Sequence, residues 1–184
     1  MKFLRSLAVL AALMLAACGG TAPVSSDDET LSLVFGYFDM KDAPTKVQWV
    51  GLKQYGGKDA GTYSLAVNDG LFFHVGIEPG SYQVDKFGGS GFLRGDYVYN
   101  FGGKGRNTTA IRIQKAGVYF LGAHRYVKHP GEGFFSPDKF DMQPMKAPTE
   151  KELLQRVIKQ MESDRDLAPY KRQLRLARER LAQL

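Results

Sequence analysis

Only one cysteine, Cys18, occurs in 184 residues. A disulfide framework is thereby excluded, because a bridge needs two thiols. Histidine is scarce too, at His74, His124 and His129. His74 and His124 fall within predicted strands and are placed to meet across a sheet, but no carboxylate or thiol clusters with them. A metal centre needs several close ligands, so no metal and no cofactor are expected. No apolar run approaches the roughly 20 residues that a membrane-spanning helix requires. No serine sits in a recognisable nucleophile turn. Gly102-Gly103-Lys104-Gly105-Arg106 lacks the spacing and the Lys-Ser/Thr ending of a P-loop, and a basic hairpin accounts for it. Arg94-Gly95-Asp96 is a tripeptide that arises by chance. The chain is not expected to be an enzyme.

An excess of charge is also missing from most of the chain. The formal sum is +6, yet residues 18–145 carry 13 basic and 13 acidic side chains. Residues 146–184 carry 10 basic and 6 acidic, so the tail holds the excess once Lys2 and Arg5 are set aside. A neutral body argues against nucleic acid as a partner.

What is present begins at the amino terminus. A basic start, Lys2 and Arg5, leads into an apolar run from Leu7 and ends at Leu15-Ala16-Ala17-Cys18. The run is too short to span a bilayer and has the length, flank and small residues of a secretory signal. Gly19-Gly20-Thr21-Ala22-Pro23 then ends any helix. This stretch resembles the lipobox of bacterial membrane lipoproteins. The resemblance implies cleavage before Cys18, lipidation of its thiol, and acylation of the new amino terminus. It places the protein in the cell envelope, anchored to the membrane through Cys18. Gly19, rather than Asp, after the cysteine implies the outer membrane of a Gram-negative cell. The expected divisions are 1–17 signal peptide, 18–30 lipidated tether, 31–145 β-sandwich domain and 146–184 helical hairpin. As a flexible coil the tether would span about 20 Å on average. Asp27, Asp28 and Glu29 would be repelled by an anionic lipid surface.

From Leu31 the composition turns β-branched and aromatic. Residues 31–39 and 46–55 read as strands, with Leu33, Phe35 and Tyr37 on one face of the first and Val47 and Trp49 on one face of the second. Asn68-Asp69-Gly70 is a hairpin turn. Glu78-Pro79-Gly80 reads as a type II turn with Gly80 in the left-handed position. The strands around these two turns are expected to form a meander. DGLFFHVGIEPGSYQVDKF, with Gly36-Tyr37-Phe38-Asp39 and Ala43-Pro44 before it, resembles transthyretin-like domains such as the carboxypeptidase-regulatory type. The resemblance covers about residues 31–87 and implies a small Greek-key β-sandwich without catalytic residues of its own.

Residues 107–114 and 118–128 read as further strands, the second central because it is apolar on both faces. That makes about seven strands. Pro130 to Pro148 reads as an irregular packed connection. Trp49, Tyr97, Tyr99 and Phe101, with Tyr119, either fill the sandwich core or form a platform for a sugar or peptide; cores are the usual place for aromatics.

The tail differs in kind. Thr149-Glu150-Lys151-Glu152 is a capping box, opening a helix to about Met161. A second helix is expected from about Leu167, with Tyr170, Leu174, Ala177, Leu181 and Leu184 as a narrow apolar seam. The seam is expected to pack on protein and to leave Arg172, Arg175 and Arg178 exposed for a partner. The fold class is thus mainly β, a transthyretin-like sandwich with a C-terminal helical hairpin. The function expected is a lipid-anchored envelope lipoprotein with a non-enzymatic structural or partner-binding role. The alternative is a ligand-binding module around Tyr97–Phe101.

Overall fold

The computed structural model of the protein describes residues 29–56, 61–91, 95–100, 109–131 and 139–184. Nine strands occur among them: β1 (Ser32–Asp39), β2 (Trp49–Tyr55), β3 (Thr62–Asn68), β4 (Leu71–Ile77), β5 (Gly80–Gly91), β6 (Gly95–Asn100), β7 (Ile111–Ile113), β8 (Val118–His129) and β9 (Lys139–Pro144). Two α-helices follow, α1 (Glu150–Ser163) and α2 (Lys171–Leu181), joined through a short 3₁₀ turn at Arg165–Leu167. The strands form one curled mixed sheet in the order β6-β5-β2-β3-β4-β1-β8-β9, with β7 paired to β5. The pairing of β1 with β8 is parallel. The chain is therefore mainly β.

The β3–β4 hairpin forms where the Asp-Gly signal predicts it. Asp69 (φ 48°) and Gly70 (φ 75°) both take the left-handed backbone such two-residue turns need. A β-bulge then interrupts β4: Val34 pairs with His74, but Ser32 pairs with Ile77. The extra residue reverses the alternation of faces. Ile77 consequently joins the same core as Phe72, although the two are an odd number of positions apart. The Gly76 N–H donates to His74 Nδ1 at 3.0 Å across this irregularity.

Two apolar cores result. Curling brings Val34 and Phe38 of β1, Val50 and Leu52 of β2, Phe87 of β5 and Leu121 of β8 into an inner core. The other face of β1 and β4 presents Leu33, Phe35, Leu71 and Val75 to the helices, which cover them with Leu153, Leu154, Val157, Ile158, Met161 and Ala177. Strand β1 is buried on both sides, because the inner core covers one face and the helices cover the other. An isolated helix as short as α1 is marginal in water. Five buried apolar side chains on α1, at about 1.5–3 kcal/mol each, supply what propensity does not.

Several expectations need correction. Strands β3, β4 and β5 are not a meander: β5 pairs with β2, β6 and β7 and not with β4. Glu78 and Pro79 instead carry the chain, exposed, from β4 to β5. Gly80 does not have positive φ among the described residues. Its constraint is space, since a Cβ there would lie 2.8 Å from Gln54 Nε2 and 3.0 Å from the Tyr82 ring. Tyr82 closes the corner by donating its hydroxyl to the Glu78 carbonyl at 2.9 Å. The connection from Pro130 to Pro148 contains β9, which pairs antiparallel with β8 from His124 to His129. The strand expected at 107–114 is present as the short β7, and nine strands are described against about seven expected. The inward side of β2 is carried by Val50 and Leu52, both at 0 % exposure, while Trp49 is half-buried. In the tail, α1 runs on to Ser163, and α2 starts at Lys171 because the 3₁₀ turn and Pro169 occupy the preceding positions. As expected, β8 lies inside the sheet, between β1 and β9.

Candidate functional site

The helical pair starts from a complete capping box. Thr149 Oγ1 accepts from the Glu152 N–H at 3.3 Å, and Glu152 Oε2 accepts from the Thr149 N–H at 2.7 Å. The Thr149 N–H first, and its hydroxyl second, hold the exposed Glu152 carboxyl below its ordinary range. On α2, Ala177 is fully buried, and Tyr170, Leu174 and Leu181 are half-buried against the outer core. The seam therefore packs inward, except that Leu184 remains 41 % exposed.

Inward packing turns the arginines outward, where each finds an acceptor within the chain. Arg178 Nη2 meets Glu162 Oε1 at 2.7 Å, and Arg175 Nε lies 3.8 Å from Glu179 Oε1. Arg180 grips Glu150 through Nε at 2.9 Å and Nη2 at 3.2 Å. Arg172 Nη1 donates to the backbone carbonyl of Glu29, tying α2 to the first described residue. The side chains of Arg175 and Arg178 remain 68 % and 60 % exposed. Arg172, Arg175 and Arg178 thus lie on the exposed side of α2, already engaged with neighbouring acceptors.

Beside the helices lies a cleft of about 540 Å³, between the β3–β4 hairpin and the turn from α1 to α2. Phe73, Val75 and Tyr170 supply apolar lining; Asp164, Asp166 and His74 supply polar lining. His74 Nδ1 accepts from Gly76, which leaves the imidazole proton on Nε2. Burial holds its pKa below the ordinary value near 6.5. The Tyr63 ring meets it edge-on, with centroids 5.3 Å apart. Gln160 also lines the cleft, and its buried Oε1 has no hydrogen-bond partner among the described residues. A second opening, of about 710 Å³, lies between the β1–β2 loop and the β3–β4 turn, with Asp39, Lys46 and Asp69 in its lining.

The aromatic set divides. Tyr99 is 6 % exposed and stacks on Phe87 at 4.9 Å, with Tyr126 and Phe140 meeting it edge-on. Burial first, then the neighbouring Tyr126 and Tyr97, push its hydroxyl up to about 12. Tyr97 is half-buried, 6.1 Å from Tyr99. Trp49 packs over Gly88, where an added Cβ would come within 2.9 Å of its Cζ2. Phe101 and Cys18 lie outside the described residues. His74 on β4 and His124 on β8 are separated by β1 and do not adjoin. His124 is 3 % exposed, edge-on to Phe38, and burial lowers its pKa.

Among the described residues no three His, Cys, Asp or Glu side chains group as metal ligands, and no helix is long and apolar enough to cross a membrane. Neither the cleft nor the tie from Arg172 to Glu29 was visible in the sequence. The tie joins residues 143 positions apart, and no local pattern records such a pairing. Comparison with protein families, with characterised proteins and with solved structures finds no match to this chain.

Proposed function

We propose that the chain is a lipid-anchored cell-envelope lipoprotein with a non-enzymatic, structural or partner-binding role. One observation carries this reading: Leu15-Ala16-Ala17-Cys18 follows a basic and then apolar start and ends on the only cysteine. A short polar linker separates Cys18 from β1 at Ser32, which is the arrangement an anchored body needs. Two or more acyl chains, at about 0.8 kcal/mol for each buried methylene, would hold it to a bilayer essentially permanently.

The curled sheet is, in this proposal, a transthyretin-like Greek-key sandwich. The order β5-β2-β3-β4 supports this, since the fourth consecutive strand lies beside the first. The inner core, shared by β1, β4 and β8 on one side and β2 and β5 on the other, supports it as well. Tyr99 in that core weighs for a partner-binding or structural role over a ligand platform at Trp49, Tyr97, Tyr99 and Phe101.

Intact-mass measurement of the membrane-extracted protein tests the anchor. The expected result is cleavage before Cys18 with lipid mass on that residue, and Cys18→Ser abolishing both. An unmodified thiol on the membrane-bound protein overturns the reading. Crosslinking of the lipidated protein in membranes, followed by affinity purification, then identifies what it holds.

A further inference from the structure

The outer apolar face of the sheet is not wholly roofed by the helices. Leu71 and Val75 of β4 are buried there, while Phe73 between them keeps part of its surface exposed. The turn from α1 to α2 ends at Tyr170, which is half-buried too. Both rings line the cleft of about 540 Å³, a size within the range of about 300–1,000 Å³ usual for small-molecule sites. A flat apolar ligand there would remove the water contact that each ring retains. The charged lining has one sign. Asp164 and Asp166 bring two carboxylates, and no lysine or arginine is among the described lining residues, Arg165 included. This is so although the chain as a whole carries +6. Neither carboxylate forms an ion pair among the described residues. Asp164 Oδ1 accepts from the Asp166 N–H at 2.9 Å, which fixes the first carboxylate in place. The buried Gln160 Oε1, unpartnered among the described residues, adds partial negative charge that water does not screen. His74 does not offset these groups, because burial keeps its imidazole neutral at neutral pH.

We propose that this cleft binds a small organic ammonium, a primary amine carried on a flat aromatic body. The ring packs against Phe73 and Tyr170, and the ammonium faces Asp164 and Asp166. An anionic analogue would meet like charge. A neutral one would gain the apolar contacts without the attraction. Both carboxylates are exposed, so their attraction is modest and salt-screened, and the aromatic contacts supply the rest of the affinity. The proposal concerns a surface remote from the lipid anchor and does not rest on it.

Titration of the full 184-residue chain carrying Cys18→Ser with tryptamine, followed by amide NMR shifts, tests this without involving lipidation. Saturable shifts are expected at Phe73, His74 and Tyr170. Tryptophol replaces the amine by a hydroxyl, and indole-3-acetate replaces it by a carboxylate. Each should bind at least about fivefold more weakly than tryptamine. Asp164→Asn with Asp166→Asn removes both charges and keeps the Oδ1 acceptor of the turn. This double variant should weaken tryptamine by about fivefold or more and leave tryptophol unchanged. Raised salt on the chain with both aspartates intact should have the same selective effect without touching the fold. Absence of saturable shifts at the cleft, or equal binding of the three probes, overturns the site. So does tryptamine affinity that survives both raised salt and the asparagine substitutions.

Discussion

Arg156 of α1 holds the β3–β4 turn at Asp69: its Nη2 donates to the Asp69 carbonyl at 3.1 Å and to Oδ2 at 3.2 Å. The guanidinium also sits 5.9 Å from the centre of the Tyr37 ring. This pair lies at the surface, at 38 % and 89 % side-chain exposure. Arg156→Ala should therefore cost no more than about 1 kcal/mol. The neighbouring glycine is a different matter. A Cβ on Gly70 would fall 2.5 Å from Tyr37 Cε2 and 2.7 Å from the Phe38 carbonyl, at a φ of +75°. Gly70→Ala should cost about 2 kcal/mol or more from left-handed strain and the clash together. Urea unfolding of both variants separates the two effects, and equal losses would show that the ion pair, not the glycine, sets the turn.

Local chemistry was legible in the sequence, and long-range pairing was not. Asp69-Gly70 and Thr149-Glu152 each hold their turn or cap through atoms a few residues apart, so composition alone located them. Gly80 shows the limit. Proline followed by glycine is the signature of a type II turn, but the nearest atom to a Cβ on this glycine belongs to Gln54 on β2, a residue that no local window contains. The same holds for β9. Lys139–Pro144 has little of the apolar alternation of a half-buried strand; Met142 is buried and Phe140 half-buried, and its partner is the far half of β8. At the candidate site, the apolar seam on α2 was readable from its spacing. The acceptors of its arginines on Glu162, Glu150 and Glu29 were not, because they depend on how the helices and the linker come together.

His74 should make stability pH-dependent. Burial depresses its folded pKa, and the same cause acts on His124. The unfolded chain therefore takes up protons first as the pH falls. No contribution arises above the ordinary value near 6.5, and stability declines as the pH drops through it toward the lower folded value. Thermal unfolding followed from about pH 7.5 to about pH 5.5 should show a falling midpoint, with His74→Gln flattening part of the slope. A midpoint constant across that window would contradict the buried, neutral imidazole.

The two faces of α2 should respond differently to substitution. Leu174 is half-buried against the outer core, and a carboxylate there would lose its apolar contacts and be partly desolvated. Leu174→Asp is expected to destabilise the chain by about 2 kcal/mol or more. Arg178→Glu breaks an exposed 2.7 Å pair with Glu162 and sets like charges together, at a cost of about 1 kcal/mol or less. Guanidinium unfolding monitored by helical circular dichroism reads both. A comparable loss from Arg178→Glu would mean that the arginine side, not the seam, holds α2 in place.

Gln173 is the least economical residue of the helical pair. It is wholly buried, and neither its Oε1 nor its Nε2 has a hydrogen-bond partner among the described residues. Each such buried polar group costs about 1–3 kcal/mol relative to its hydrated state. Methionine has a similar length, fills irregular spaces and carries no strong donor or acceptor. Gln173→Met is therefore expected to raise stability by at least about 1 kcal/mol. Gln173→Ala should gain less or lose stability, because it removes the same polar atoms but leaves a void beside Ala177 and its neighbours. Chemical unfolding of the two variants side by side isolates the amide from its volume. If Gln173→Met lowers stability, the amide makes a hydrogen bond in the folded chain, and the outer core beneath α2 holds a polar partner for it.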